Sequence, residues 1–209
     1  MARNIQKDAI EMASKDQRIL ENAFHLFANN TIEKVKLTEV AAAAGIGIAS
    51  LYRYYPSKPD LVMAVNTWAW TDYLNNNLLP LSEQMTGAEE FEFHLNAFLD
   101  LYRSHKDLLR FNQFFNVYIQ SEEIATTQPE SYLQMIRKLE EPFSSTYHKG
   151  KEDGTIKTDL SEKEMFSVTL HLMLAAVTRY AVGLAYNEET DAEEELELLK
   201  EMLVSKFTQ

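Results

Sequence analysis

Between Thr38 and Lys58 the chain gathers side chains suited to gripping a polyanion that carries information: Thr38, Ser50, Tyr52, Arg53, Tyr54 and Lys58. An arginine guanidinium reads guanine through two parallel hydrogen bonds, whereas hydroxyls and a lysine ammonium hold phosphate oxygens. The spacing sorts these groups. At about 100° per residue, Ala49, Ser50 and Arg53 share one side of a short helix, with Tyr52 and Tyr54 on its flanks. Ile48, Leu51 and Tyr55 fall on the opposite side, which suits burial. Small residues at 49 and 50 let a backbone approach the floor of a DNA major groove, so this segment has the composition of a recognition helix.

The flanking residues must hold that helix. Thr38 reads as the N-cap of a preceding helix, with Glu39 in its first turn, where the helix dipole favours negative charge. Val40, Ala41 and Ala44 give this helix a small apolar face. Gly45 suits the left-handed conformation that ends a helix, making Gly45-Ile46-Gly47 a tight turn. Gly47 and Ile48 then open the second helix, which runs to about Tyr54. Ser57-Lys58-Pro59-Asp60 is a capping box with proline in the first turn of a third helix. Lys58 sits at that N-terminus, where charge and free N–H groups can clamp a phosphate.

Residues 15–65 resemble the N-terminal domain of the tetracycline-repressor (TetR) family of transcription regulators. Thr38, the alanine-glycine end of the first motif helix, Leu51-Tyr52, Tyr55, and Ser57-Lys58 ahead of Leu61 carry the resemblance. It implies that Thr38, Tyr52 and Lys58 contact phosphates, and that Ser50, Arg53 and Tyr54 face or border the bases. The chain departs from the family pattern at Gly47, where serine is common, and at Ile48, often polar or basic.

Composition agrees once it is divided. The net charge of −12 is unusual for a DNA binder. Residues 1–60 carry eight basic and seven acidic side chains, whereas residues 61–209 carry twelve and twenty-five. The acidity lies outside the motif, where it disfavours nonspecific coating of DNA and aids solubility. With no cysteine, disulfides and thiolate metal sites are excluded. No apolar run of signal-peptide or membrane length opens the chain, so a cytoplasmic protein without membrane contact is expected.

Every segment reads as helix, and the expected fold is all-α. Residues 1–14 are expected to form a frayed arm, followed by an amphipathic helix from Lys15 to Asn30. A helix from Lys58 to Asn77 connects a DNA-binding domain, residues 1–60, to a larger helical effector-binding and dimerisation domain, residues 61–209. Further helices are expected from Thr86 to Ser104, over 107–119, and from Pro129 to Lys149 with Pro142 inside. A long one should run from Ser161 to about Tyr186, and the last should be capped by Thr190. The 161–186 helix is apolar on more than one side. It is either a central core helix or, with residues 193–207, a homodimer interface; two-fold symmetry would double the DNA contacts.

Aromatic side chains are dense in the larger region. Trp68, Phe98, Tyr102, Phe111, Phe114, Phe115, Tyr118 and Tyr147 are either core or the walls of a pocket for a flat, hydrophobic effector. The resemblance favours the pocket, with His94 and His171 as polar partners, alongside Arg103, Asn112 and Gln113. The five histidines show no metal-binding spacing. No phosphate-cradling glycine loop or nucleophile elbow is present, so neither an enzyme nor a cofactor is expected. The expected function is a ligand-responsive regulator, a repressor in the family's usual mode, that binds a palindromic operator. The alternative is a helical adaptor that uses the motif for protein contacts.

Overall fold

The structure, a computed structural model, describes residues 2–77, 81–121, 130–184 and 191–208, with the backbone alone for residues 2–10. Among the described residues nine α-helices form: α1 (Ala2–Asn29), α2 (Leu37–Ala43), α3 (Ile48–Tyr54), α4 (Lys58–Asn77), α5 (Gly87–Ser104), α6 (Lys106–Ser121), α7 (Glu130–Glu152), α8 (Glu162–Ala181) and α9 (Ala192–Phe207). Among the described residues the extended contacts are confined to one antiparallel bridge, Ile156 with Thr208. The fold is all-α.

Capping chemistry fixes several of these boundaries. The Thr86 and Ser161 hydroxyls accept the N–H groups of Glu89 and Glu164, whose carboxylates accept the Thr86 and Ser161 N–H groups in return. Ser57 and Asp60 make the same exchange at the start of α4.

Elsewhere the boundaries differ from those expected. The expected frayed arm is helical, because nothing between Ala2 and Asn29 breaks a helix and α1 continues without interruption. Helix α2 starts at Leu37 with Lys36 as N-cap, so Thr38 lies in the first turn and is not the cap. There the Lys36 N–H donates to the Glu39 carboxylate at 2.8 Å. Helix α8 stops at Ala181, short of Tyr186, because Gly183 takes φ +76° and closes the end. Asp191 caps α9, its carboxylate accepting the Glu193 N–H. The expected cap Thr190, like Pro80, Pro129 and Tyr186, lies outside the described residues.

The chain forms two compact units. The first comprises Met1–Asp72 and Arg110–Tyr132. Its core holds Ile19, Phe27, Ile32, Val40, Leu51, Leu61, Val65 and Phe111, all without exposed surface. Phe24 packs on Trp68 at 5.9 Å and on Phe111 at 5.5 Å, and Phe27 stacks on Phe111.

The second unit comprises Tyr73–Leu109 and Leu133–Gln209. Here α5, α8 and α9 pack on one another. Phe91, Leu95, Leu99, Leu109, Met165, Met173, Val177, Leu203 and Phe207 fill the interior. The start of α5 lies so close to the end of α7 that a Cβ added at Gly87 would meet the Gly150 backbone. From the turn after α7, the Asp153 carboxylate and the Thr155 hydroxyl accept the first N–H groups of α5, at 2.8 and 3.0 Å.

Candidate nucleic-acid interface

The turn between α2 and α3 is built as the glycines require. Gly45 adopts φ +68°, in the left-handed region open to glycine. The Ile46 N–H then returns to the Ala41 carbonyl at 2.9 Å, closing α2. Gly47 is the N-cap of α3 in extended conformation, without a side chain to accept the N–H groups ahead of it.

Helix α3 presents two faces. Leu51 has no exposed surface and Ile48 is half-buried, so this side anchors the helix. Opposite, Ala49 and Arg53 are exposed, Ser50 and Tyr54 are half-exposed, and Tyr52 stands 49% exposed. An aromatic ring left that open in a small helical unit has no packing role to fill on its outer side. The Arg53 guanidinium donates to Ser50 Oγ at 2.9 Å, which orients the fork along the helix surface. Both groups have further hydrogen-bonding capacity.

Two tethers hold this helix against its neighbours. The Tyr55 hydroxyl, at the C-cap of α3, donates to Asp16 Oδ1 of α1 at 2.6 Å. Burial first, and then the adjacent carboxylate, push the Tyr55 phenol above its ordinary range, so it stays a donor. Lys58 donates from Nζ to the Glu33 carbonyl at 3.1 Å, and the same ammonium lies 6.0 Å from the centre of the Tyr118 ring. That position ties the start of α4 to the α1–α2 loop. Thr38 is exposed in the first turn of α2.

Lys34 and Lys36 are not among the residues that the motif spacing marks. Both are exposed in the loop that also supplies Glu33, and Lys36 precedes the free N–H groups of α2. Their signal was present in Glu33-Lys34-Val35-Lys36, where the two lysines alternate with a buried valine. The Asp16–Tyr55 bond, between residues 39 apart, had no such signal.

A model of the N-terminal region of TetR-family bacterial regulatory proteins matches residues 19–65, which span the end of α1, the α2–α3 motif and the start of α4. Residues 19–65 are thus similar to the N-terminal domain of the TetR family. A helix-turn-helix (HTH)-type transcriptional regulator of Staphylococcus aureus is 39% identical over 61 residues, a stretch amounting to 29% of this chain and 31% of that one. The similarity to that relative therefore spans about a third of its length. Two solved structures extend the likeness across the fold. One is a transcriptional regulator from Saccharomonospora viridis in complex with choline, at TM-score 0.71 and 17% identity over 95% of this chain and 99% of that one. The other is FadR from Bacillus subtilis in complex with stearoyl-CoA, at TM-score 0.66 and 16% identity over 90% and 97%. At these identities the likeness is one of fold.

The ten residues expected to line an effector pocket divide evenly between the two units. Trp68, Phe111, Phe114, Phe115 and Tyr118 belong to the first, where Phe111, Phe115 and Tyr118 are buried. His94, Phe98, Tyr102, Tyr147 and His171 belong to the second. Tyr102 packs on Tyr180 and beneath the Lys106 ammonium, and the Tyr147 hydroxyl donates to the Leu160 carbonyl. His171 is exposed, while His94 is half-buried and bonded to Thr146. Among the additional polar candidates, Arg103 is engaged by Asp100, Glu193 and Glu197. Asn112 is buried, and Gln113 is exposed. Aromatic residues at helical spacing announce burial, but not which core they enter.

The second unit also carries an open groove of about 780 Å³ whose lining includes Ile156, Leu160, Val168, Leu172, Leu203 and Phe207, with Lys151, Lys157 and Lys206. None of the ten expected residues lines it. Among the described residues, no three or more histidine, cysteine, aspartate or glutamate side chains are placed to hold a metal ion. No described helix is long and apolar enough to cross a membrane.

Proposed function

We propose that this protein is a ligand-responsive transcriptional regulator that docks α3 in the major groove of a palindromic operator, repressing the genes beside it. One observation carries the reading: Arg53 stands exposed on the side of α3 opposite Leu51, which has no exposed surface, with Tyr52 exposed on the flank. Ser50 and Arg53 then meet base edges. Tyr52, Thr38 and Lys58 hold phosphates, with Gly47, Ile48 and Ala49 close to the backbone and Tyr54 at the border. Residues 1–60 supply the DNA module, and residues 61–209 supply effector binding and dimerisation.

The dimer forms through α8 and α9. Their exposed apolar side chains support this reading: Val168 at 40%, Leu172 at 45%, Leu198 at 57% and Met202 at 61%. Such side chains on two packed helices are what a two-fold helical interface covers. The effector is a small hydrophobic or aromatic molecule. Its binding releases DNA by changing the separation of the two recognition helices, which must sit about one helical turn apart. The ligands carried by related folds, choline and stearoyl-CoA, support ligand response as a class of behaviour.

The test is a genome-wide footprint, followed by titration of the recovered duplex at several salt concentrations. A palindromic footprint whose affinity falls steeply with salt supports the proposal, because only phosphate contacts release counterions. Binding to no duplex, with capture of a protein partner through α3, would replace it with the adaptor reading.

A further inference from the structure

Helix α9 divides its charges between two sides. Toward α5 they are paired within the chain: Glu193 and Glu197 take Arg103, and Lys200 reaches Glu197 and Glu92. The outward stripe runs Glu194, Leu198, Met202, Lys206, at intervals of four residues, and all four side chains are exposed. Among the described residues, neither Glu194 nor Lys206 has an ion-pair partner in its own chain.

The order of these four side chains is self-complementary. Positions 198 and 202 lie equally far on either side of the level of Lys200, and so do positions 194 and 206. Antiparallel pairing of two copies about that level therefore sets leucine on methionine at the centre and a carboxylate on an ammonium at each end. Parallel pairing in register would set Glu194 on Glu194 and Lys206 on Lys206. The helix geometry permits the antiparallel contact. A row of side chains four apart is inclined about 26° to its helix axis, so two such rows lie along one another when the helices cross at about 50°. At about 1.5 Å per residue the charged ends stand about 9 Å from the crossing point, and the winding of the row keeps them facing.

We infer that two copies of this chain pair antiparallel through α9, with Leu198 on the partner's Met202 and Glu194 on the partner's Lys206. The inference rests on the dimer of the proposed function and adds its register. The groove beside α9 fits the same occupant. Lys206 lines it together with Lys151 and Lys157, and Asp159 is the one carboxylate among its described lining residues. That balance is the reverse of residues 61–209 as a whole, which carry twelve basic and twenty-five acidic side chains. Val168 and Leu172, both exposed, continue the apolar lining. In this register the acidic first turn of a second α9, with Glu194 and Glu195, arrives at the lysine end of the groove, where its charge is complementary.

The experiment mixes two variants of the full chain, Glu194→Lys and Lys206→Glu, and counts the species by native mass spectrometry beside sedimentation. Each variant alone sets like charges together at both ends of its homodimer, and its dissociation constant at low salt should rise about tenfold. The mixed dimer regains an opposite pair at both ends. It should exceed the share of about half that random pairing of a two-fold dimer gives, and the excess should shrink as salt is added. Either reversal also opposes the dipole of its own helix, but each chain carries that cost in every dimer it enters, so the comparison cancels it. A mixed dimer at the random share overturns the register and leaves the dimer standing. A wild-type chain that sediments as a monomer at micromolar concentration overturns the dimer and the register together. If a reversed variant fails to fold, cysteines decide, since the chain has none of its own. Leu198→Cys and Met202→Cys chains, mixed and mildly oxidised, should cross-link to each other in preference to themselves, and cross-linking without preference overturns the register.

Discussion

On α3 the polar groups face outward: Arg53 and Tyr52 are exposed, and the side that meets the protein is the fully buried Leu51. Between α5 and α7 the arrangement is inverted. Glu90 and Thr146 are buried and bonded to each other, and Glu90 also accepts from Lys149. An outward polar face over an apolar anchor can be altered with little effect on folding, because water replaces what is removed. A buried polar chain cannot, because each deleted partner strands another. One region is thus free to specialise in recognition, while the other sets how firmly its unit is joined.

The largest expected effects come from removing the apolar supports on which the outward face depends. Leu51→Ala should cost about 2–5 kcal/mol of stability, the usual range for a leucine without exposed surface, read by chemical denaturation. It should also abolish operator binding, since α3 loses its anchor. Gly87→Ala tests the other region. Its methyl group runs into the Gly150 backbone, which cannot yield as a flexible side chain would, and a cost of about 1–3 kcal/mol is expected. Stability unchanged by Gly87→Ala would show that the α5–α7 joint is looser than its close approach indicates.

Arg53→Ala should separate recognition from folding. We expect a loss of roughly 1–3 kcal/mol in operator affinity with relaxed specificity, at unchanged melting temperature. Lys58→Ala should instead weaken all sequences alike and reduce the salt slope, with some loss of stability because its Nζ also bonds Glu33. Tyr55→Phe lies between these cases. It deletes the donor to Asp16 and should cost roughly 1–3 kcal/mol, within the range for bonds to a charged group and partly buried carboxylates. If DNA affinity falls by more than stability does, the Asp16 tether sets the pose of α3 and not merely its attachment.

How much of this was legible in the sequence follows the same division. The α3 face, the Gly45 turn and the boxes at Ser57, Thr86 and Ser161 were readable, because each rests on residues within four positions of one another. The N-cap of α2 was not, since Lys36 contributes only its backbone N–H and any residue could do the same. The close of α8 at Gly183 was overlooked because the apolar pattern continues past it, to Leu184. The aromatic set is legible only in part, for a different reason. Phe111 and His94 carry similar local patterns, yet one packs on Phe24 and Phe27 of α1 and the other bonds Thr146. Pairings such as Asp16–Tyr55 and Glu90–Lys149 depend on helix packing, which no local spacing encodes.

The smallest expected effect is also the one that most sharpens the contrast. Burial holds the His94 imidazole below its ordinary value of 6.5, against the opposing pull of Glu90 and Pro142. A histidine with a depressed folded value binds its proton more readily when unfolded. Its neutral form therefore adds stability that is fully present above 6.5 and declines as the pH falls toward the folded value. The capping carboxylates behave otherwise. Glu89 and Glu164 are held below 4.5 by the Thr86 and Ser161 groups they accept from, so their contribution persists through the histidine window and fades only in stronger acid. Stability followed by denaturation from pH 8 to pH 3 should therefore decline in two separated stages. His94→Gln should remove the upper stage and leave the lower one. If the upper decline survives that substitution, the acid response of the fold originates outside the α5–α7 joint, and buried and outward polar groups would differ less than their surroundings imply.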